Sequence, residues 1–286
     1  MFVKPFRYAR VGTADEACDL LRRHGERAKV LAGGQSLLPM MNAGLLDAEL
    51  LVDISRIEGG SAVARVGGYL EVGAQVRHAS LAAHPDVRAV QPLLTAAASS
   101  IGNPRVRNRG TLGGTLAHAD PAAELPLVLI ALGATVEASD GRSSREIRAD
   151  EFATSFLSTQ LRQDEIVTRV RVPVLGTGWG WSFIELSRRK GDFAVVAVAV
   201  LLRVADGQVL EGRVAAAGAG DQPVRLGGVE AALSGAARHE LPGRVGEVRE
   251  VDPRSDALAS AGYRRHLLTV LIRRGIEEAF ERSEAS

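Results

Sequence analysis

Two segments rich in glycine and hydroxyl side chains constrain the fold of this chain more than any other feature. One lies in the stretch 101–126, IGNPRVRNRGTLGGTLAHADPAAELP, where residues Thr111 to Thr115 read TLGGT. Adjacent glycines allow consecutive backbone N–H groups to come close together, and such a concave backbone binds anions. The other segment, Ala32 to Ser36 (AGGQS), follows a short apolar run. Two segments of this kind predict a site for a diphosphate.

Each segment alone has an ordinary alternative explanation. Gly-Gly pairs beside Thr or Ser form many plain turns, because glycine adopts positive φ and the hydroxyl bonds its own backbone. Neither segment fits the GxGxxG pattern of dinucleotide folds or the GxxxxGK[ST] phosphate loop, and the missing lysine argues against nucleoside triphosphate chemistry. The residues alone therefore leave two interpretations open, a phosphate site and a pair of turns.

The size and charge of the chain narrow its class. Its 286 residues are enough for a sizeable core and for two or three lobes. A formal net charge of +1 provides no strong positive field, which argues against a nucleic-acid partner. The apolar runs at 125–136 and 193–202 are shorter than the roughly 20 residues that cross a membrane, and the N-terminus lacks the apolar region of a secretory signal. We expect a cytoplasmic protein without a membrane segment.

The single cysteine limits the redox chemistry that the chain itself can carry. One thiol cannot form an internal disulfide, nor can it supply the several thiolates of an iron–sulfur cluster. Cys18 lies within the helical pattern of Ala17, Leu20 and Leu21. We therefore interpret Cys18 as a buried structural thiol.

Patterns in the first 175 residues predict a small α/β lobe followed by a second lobe. Thr13 and Glu16 form a capping box that opens a helix ending near Gly25. We expect strands at 29–32, 50–54, 134–139, 142–147 and 165–173, a hairpin at 61–75, and helices at 78–83, 90–101 and 121–133. The glycine-rich segment Gly176 to Trp181 is the expected domain boundary.

The remaining residues predict a sheet followed by helices. We expect a three-stranded antiparallel sheet with strands at 181–186, 194–204 and 208–217. The middle strand is almost wholly apolar, which indicates burial on both faces. Helical periodicity is found at 226–233, 253–260 and 263–281.

Several polar residues near the second glycine segment have structural interpretations. Arg105, Arg107 and Arg109 alternate along the chain, which favours a solvated strand face over direct phosphate contact. His118 and Asp120 lack the further ligands that a zinc site requires. We interpret Asp120 as the N-cap of the helix that follows, whose N-terminal dipole favours a nearby phosphate.

The order of the two glycine segments resembles one known family. AGGQSLLPMMNAGLL followed by RNRGTLGGTLAHADPAAELP is similar to the FAD-binding medium subunit of molybdenum hydroxylases, the group of carbon monoxide dehydrogenase and xanthine dehydrogenase. This resemblance, from about Phe6 to the C-terminus, implies an α+β fold. Residues 1–175 would form a two-lobed FAD-binding domain of the PCMH (vanillyl-alcohol-oxidase-like) type, with lobes at about 1–57 and 58–175. Residues 176–286 would form a C-terminal domain of the CO dehydrogenase flavoprotein type, with the three-stranded sheet and helices.

The resemblance also implies which residues contact FAD. The two glycine segments would hold its pyrophosphate, and Glu124 would be the acidic contact that some members replace with aspartate. Ile166 or Val167 would approach the isoalloxazine ring, and Val167 is the predicted contact. The turn at 188–193 resembles the basic-Gly-Asp-aromatic turn of the family, although a plain basic hairpin turn explains it equally well. The predicted contacts are Ala32, Gly33, Gly34, Gln35, Ser36, Leu37, Ile101, Thr111, Gly113, Gly114, Thr115, Glu124, Val167 and Phe193.

By the same resemblance, the chain would be an electron-transfer subunit. Electrons would pass from a [2Fe-2S] cluster on a separate small subunit to FAD, and then to NAD+, a quinone or oxygen. A large molybdopterin-binding subunit would complete a heterotrimer or its dimer. Because the flavin carries out the redox chemistry, no catalytic or metal-ligating residue is predicted. Two alternatives are a stand-alone flavin-dependent oxidase or oxygenase, and a degenerate, non-catalytic scaffold in which the glycine segments are plain turns.

Overall fold

The computed structural model of the protein describes residues 3–285, which form an α+β architecture of three larger sheets and one two-stranded sheet, with helices packed between and around them. The N-terminal lobe is a parallel sheet in the order β1-β3-β2 with two helices. Its elements are β1 (Arg7–Arg10), α1 (Ala14–His24), β2 (Ala28–Leu31), α2 (Leu37–Asn42) and β3 (Leu50–Asp53). Because the strands are parallel, the segments after β1, β2 and β3 meet at one edge of the sheet.

A helix cap and the burial of apolar residues explain why the N-terminal lobe forms these elements. The Thr13 hydroxyl accepts the N–H of Glu16 at 3.2 Å and thereby caps α1, while the Glu16 carboxylate accepts the N–H of Gly12 at 2.8 Å. Cys18 is fully buried against the sheet, as predicted. Strand β3 is buried along its whole length, which fixes it at the centre of the three strands.

The second lobe is an antiparallel five-stranded sheet in the order β4-β5-β10-β6-β7, covered by short helices. Its first half contains β4 (Val63–Val66), β5 (Tyr69–Gly73), α3 (His78–Ala83), α4 (Pro85–Val90), α5 (Pro92–Ser100), α6 (Pro104–Arg107), α7 (Leu112–His118) and α8 (Glu124–Leu132). Its second half contains β6 (Thr135–Ser139), β7 (Ser144–Arg148), α9 (Ala149–Phe152), β8 (Ala153–Ser155), β9 (Ser158–Thr159) and β10 (Ile166–Pro173). The hairpin turn between β6 and β7 is at Asp140 and Gly141, as predicted.

The C-terminal part, described as far as residue 285, has four strands, three α-helices and a 3₁₀ helix at Arg238–Glu240. Its sheet, in the order β11-β12-β13-β14, contains the three predicted strands and a two-residue fourth strand that sequence patterns did not predict. The elements are β11 (Trp179–Ser187), β12 (Ala194–Ala205), β13 (Gln208–Ala217), β14 (Val224–Arg225), α10 (Gly227–Leu233), α11 (Leu241–Arg244) and α12 (Ala261–Glu284).

The two faces of β12 enter different hydrophobic cores. Ala197 and Ala199 join the core of the second lobe, whereas Val198 and Val200 pack beneath α12. Helix α8 is buried at every position and packs against β12 and β13. The second lobe and the C-terminal sheet therefore share one core, and the start of α8 lies near their junction.

Residues 253–260 do not form the predicted helix. Asp256 Oδ1 accepts the N–H groups of Leu258 and Ala259, at 2.8 and 3.0 Å, and fixes a turn instead. Aspartate and serine side chains offer the backbone local hydrogen bonds that compete with a helix, which explains why apolar periodicity failed here.

Two other helix predictions need corrected limits. The helix expected at 90–101 is α5, which begins at Pro92 and ends at Ser100, because the chain leaves helical conformation at Gln91 and Val90 belongs to α4. Helix α8 begins at Glu124 rather than after Asp120, because the Asp120 carboxylate accepts the N–H of Ala122 at 2.8 Å in a turn of its own. Asp120 is therefore not the N-cap of this helix. Among residues 3–285, no helix combines the length and apolarity that crossing a membrane requires.

Candidate functional site

The first glycine segment follows β2 at the carboxyl end of the parallel sheet and touches the second one. Gly33 is buried, and a Cβ atom placed on it would collide with the carbonyl oxygen of Arg109 and lie 2.8 Å from Cα of Gly110. Gly34 has a φ of +71°, which favours glycine. The structure therefore places the first segment against the backbone of residues 109–110, immediately before the second segment.

The first segment has several unused hydrogen-bond donors. No acceptor among residues 3–285 receives the N–H groups of residues 33–36. The Gln35 side-chain amide bonds the carbonyl of Gly33 at 3.2 Å, which braces the segment without using these donors. Four neighbouring N–H groups are thus available to an anion.

The second segment is the start of a helix and not the glycine turn that the sequence suggests. The Thr111 hydroxyl caps α7 by accepting the N–H of Gly114 at 3.1 Å. The N–H groups of Leu112 and Gly113 donate to the carbonyls of Val76 and Ala74, at 3.0 and 2.7 Å. These three donors are therefore used within the protein, and the side chain of Thr115 is the remaining polar group of the segment.

Thr115 is paired with a buried histidine that sequence analysis did not select. The Nε2 atom of His78 lies 3.1 Å from the Thr115 hydroxyl oxygen, and the His78 residue is only 2% exposed. Burial, helped by the charge of Arg107, lowers the pKa of His78 to about 4. The imidazole is therefore neutral at physiological pH.

The arginines before the second segment do not form the strand face that their alternation suggested. Arg105 and Arg107 belong to α6, a single helical turn capped by the Asn103 side chain. The Arg107 guanidinium donates to the carbonyls of Ile101 and Gly102, at 2.8 and 2.9 Å. Arg107 therefore fixes the backbone around Ile101, a predicted contact that is itself buried.

Glu124 lies at the start of α8 and is buried, close to the partly buried Glu185. Burial, together with the nearby Glu185 and Asp120, raises the pKa of Glu124 to about 7. Glu185, from β11, has an Oε2 atom that is buried without a hydrogen-bond partner among residues 3–285, and burial raises its pKa as well. Nothing in the spacing of the sequence could associate Glu185 with Glu124.

Val167 lies between the lobes. It lines a cavity of about 490 Å³ whose walls include Gly12 and Ile54 from the N-terminal lobe and Ala74 from the second lobe. Ile166 lines the same cavity and also packs into the core of the N-terminal lobe. Both residues that the sequence offers as isoalloxazine contacts, Ile166 and Val167, therefore line this cavity. Because the backbone of Ala74 also contacts Gly113, the cavity borders the second glycine segment.

Phe193 lies in the turn between β11 and β12. The Phe193 residue is 62% exposed, so it contributes little to the core. A Cβ atom on Gly191 would lie 2.7 Å from the carbonyl oxygen of Gly102, which places this turn against the backbone beside Ile101. The predicted contacts therefore form two groups. One comprises the two glycine segments with the cavity at Val167, and the other comprises Ile101 with the turn of Phe193.

Sequence comparison assigns the chain to a family. Residues 4–175 match the family described as the FAD binding domain in molybdopterin dehydrogenase, and residues 181–279 match the CO dehydrogenase flavoprotein C-terminal domain. The nicotine 6-hydroxylase medium subunit of Paenarthrobacter nicotinovorans is 39% identical over 99% of this chain and 100% of that protein. The chain belongs to the FAD-binding medium subunits of the molybdenum hydroxylases.

Solved structures agree with this assignment of the medium subunit. CO dehydrogenase from Hydrogenophaga pseudoflava is similar with a TM-score of 0.95 and 33% identity, covering 99% of each chain. Quinoline 2-oxidoreductase from Pseudomonas putida 86 has a TM-score of 0.92 and 30% identity, covering 98% of this chain and 99% of that chain. The predicted α+β fold is confirmed, and the family indicates that FAD is the cofactor and that the medium subunit is the flavoprotein part of an oxidoreductase.

The first glycine segment of the medium subunit fits the chemistry of FAD. The N–H groups of residues 33–36 lack acceptors in the described part of the chain, and the absence of a Cβ at Gly33 keeps two segments close together. A pyrophosphate is an anion that such donors can bind at the edge of a parallel sheet. The donor set therefore suits the phosphate portion of the cofactor.

We predict that the buried carboxyl of Glu124 makes the stability of the flavin-free medium subunit depend on pH. Its pKa in the folded state lies above the value in an unfolded chain, so the folded protein keeps a proton that the unfolded protein releases. The free energy of unfolding should therefore fall as pH rises from about 4.5 to 7, with a contribution of about 2–3 kcal/mol. Relative to the wild type, the Glu124→Gln variant should gain that amount between pH 5 and pH 8 in urea unfolding.

Glu247→Gln is the matched control for this experiment. The Glu247 side chain is 62% exposed. The difference in the free energy of unfolding between Glu247→Gln and the wild type should therefore be the same at pH 5 and at pH 8. If the difference between Glu124→Gln and the wild type were also the same at both pH values, the Glu124 carboxylate would have to be solvated in the folded protein.

Proposed function

We propose that this chain is the FAD-binding electron-transfer subunit of a molybdenum hydroxylase, with the FAD pyrophosphate held where its two glycine segments meet. The observation that carries this proposal is the row of unused N–H groups at residues 33–36, beside the backbone contact of Gly33 with Gly110. The four donors satisfy a phosphate at one edge of the parallel sheet. The Thr115 hydroxyl lies on the opposing segment and supplies a further donor.

The two groups of predicted contacts divide the cofactor between them. We assign the phosphates to the glycine segments, whose residues are Ala32, Gly33, Gly34, Gln35, Ser36, Leu37, Thr111, Gly113, Gly114 and Thr115. The cavity at Val167 is contiguous with Gly113 through Ala74, and its volume suits one of the ring systems of FAD. Ile101, Glu124 and Phe193 belong to the junction between the second lobe and the C-terminal sheet. We propose the division between residues 1–175 and 176–286 as the domain boundary.

The proposed partners are inferred from the names of the relatives. The nicotine 6-hydroxylase protein is named a medium subunit, which fits a complex with a large molybdopterin-binding subunit and a small [2Fe-2S] subunit. When bound, the flavin supplies the redox chemistry, receiving electrons from the cluster of the small subunit and passing them to NAD+, a quinone or oxygen. The residues of this chain bind and orient the flavin, and the exposed side chain of Phe193 is proposed as one of its contacts.

We expect the purified chain to contain FAD. Its absorption spectrum should show flavin bands, the cofactor released by heat should have the mass of FAD, and the content should approach one FAD per chain. Co-expression with a large molybdopterin-binding subunit and a small [2Fe-2S] subunit from the same organism should yield one complex that reduces its flavin on addition of the substrate of the large subunit. A colourless chain that also fails to bind added FAD would contradict the proposal, and turnover by the lone chain would favour a stand-alone oxidase.

A further inference from the structure

The imidazole of His78 lies directly behind the second glycine segment. His78 opens α3, and its backbone N–H donates to the carbonyl of Gly110 at 3.1 Å. Its Nε2 atom is 3.1 Å from Thr115 Oγ1, while its Nδ1 atom is buried without a hydrogen-bond partner among residues 3–285. The ring therefore has one polar contact, and that contact is with a hydroxyl proposed to face the cofactor.

We propose that His78 is a positioning residue for FAD, which donates from Nε2 to the Thr115 oxygen and so turns the Thr115 hydroxyl proton toward the pyrophosphate. This inference rests on the proposed function. A hydroxyl has one proton and two acceptor lone pairs. When an N–H donor occupies one lone pair of Thr115, its own proton is free to be donated to a phosphate oxygen.

The hydrogen-bond inventory of the ring selects this tautomer. A neutral imidazole has one N–H, at Nδ1 or at Nε2. A proton at Nδ1 would leave a buried N–H without an acceptor, and unpaired buried donors are rarer than unpaired acceptors. With the proton at Nε2, the only N–H of the ring is bonded to Thr115.

His78 also sets the spacing of the two glycine segments. A Cβ atom on Gly110 would lie 2.7 Å from both Cδ2 and Nε2 of the His78 ring, so the ring packs tightly against this glycine. Gly110 in turn packs against Gly33. A substitution at His78 therefore changes two things, the hydrogen bond and the packing, and the experiment must separate them.

The test compares His78→Gln, which retains an amide donor, with His78→Phe, which keeps a ring but has no donor. FAD affinity is measured by fluorescence titration of flavin-free protein. We expect His78→Phe to weaken binding about ten-fold and His78→Gln to stay within about three-fold of the wild type. Thr115→Val should lose a similar factor, and the double variant His78→Phe/Thr115→Val should lose little more, because both changes remove the same donated proton.

Imidazole ¹⁵N–¹H correlation spectra of the flavin-free wild type provide a readout that does not depend on FAD binding. The signals of His78, assigned by their loss in His78→Gln, should show a protonated Nε2 and an unprotonated Nδ1. A protonated Nδ1, additive losses in the double variant, or equal weakening by Gln and Phe would each overturn the inference. Those results would leave FAD binding by the wild type intact, whereas a wild type that binds no FAD would overturn the proposed function instead.

Discussion

Gly33→Ala is expected to weaken FAD binding by about 100-fold or more. The new Cβ atom would collide with the carbonyl oxygen of Arg109 and approach Cα of Gly110, and both are backbone atoms that cannot rotate away. Overpacking of this kind costs about 1–3 kcal/mol, and here the relief must come from separating the two glycine segments. That separation would also misalign the N–H groups at residues 33–36. Titration of flavin-free protein with FAD measures the loss, and the melting temperature reports the cost to the fold.

Gly246→Ala is the control for this variant. A Cβ atom at Gly246 would have no atom within 4 Å, and its backbone has no positive φ, so both FAD affinity and melting temperature should remain those of the wild type. Wild-type affinity in Gly33→Ala would show that the cofactor does not depend on the contact between the segments. A lower melting temperature with unchanged affinity would lead to the same conclusion.

Much of the framework was predictable because strong local patterns agree with the tertiary structure. The apolar run of β12 indicated a strand buried on both faces, and the structure places its two faces in two different cores. The cap at Thr13 and the end near Gly25 fixed α1 to within a residue. Where burial, capping and turn residues point the same way, a single sequence is sufficient.

The second glycine segment shows where local reasoning fails. Two adjacent glycines disfavour a helix, so the sequence indicated a turn at residues 111–115. The structure forms α7 there because Thr111 caps it and because Val76 and Ala74 accept the N–H groups of its first turn. These acceptors belong to a distant segment of the chain. Tertiary hydrogen bonds therefore override the low helix propensity of glycine.

Strand β1 was not predicted from the sequence, for a similar reason. Its sequence, RYAR, is largely exposed and lacks a strand pattern, and it becomes a strand by pairing with β3 in parallel register. Parallel pairing joins segments that are far apart in sequence. Its presence completes the sheet edge at which the first glycine segment lies.

The residues that sequence analysis missed in the candidate site are those held by distant partners. His78 acquires its role from Thr115, and Glu185 from its proximity to Glu124. Neither residue belongs to a motif with fixed spacing. A lone histidine at the start of a helix and a lone glutamate in a strand have no signal in one sequence, whereas the glycine segments do. Sequence therefore predicted the segments that meet but not the side chains that support them.

The second large effect is expected at Gly180, where β11 and α12 meet. A Cβ atom on Gly180 would collide with the carbonyl oxygen of Ala279 and lie 2.5 Å from the backbone nitrogen of Ser283. Because a helix backbone cannot yield locally, Gly180→Ala must push α12 away from the sheet. We expect a loss of about 3 kcal/mol or more in the free energy of unfolding and a fall of about 5–10 °C in melting temperature. Hydrogen exchange should show lost protection throughout α12.

Gly212→Ala is the control for Gly180→Ala. It tests whether the loss of stability arises from the contact with α12 or from replacing any glycine of the sheet. A Cβ atom at Gly212, in β13, would lie 3.5 Å from the side chains of Leu202 and Leu233, which is ordinary packing distance. Alanine also lowers the entropy of the unfolded chain, so this variant should be as stable as the wild type or slightly more stable. Equal stability of the two variants would mean that α12 can move without cost. In that case α12 would not hold β11 in place, and the positions of Glu185 and the turn of Phe193 would have to be fixed by the second lobe alone.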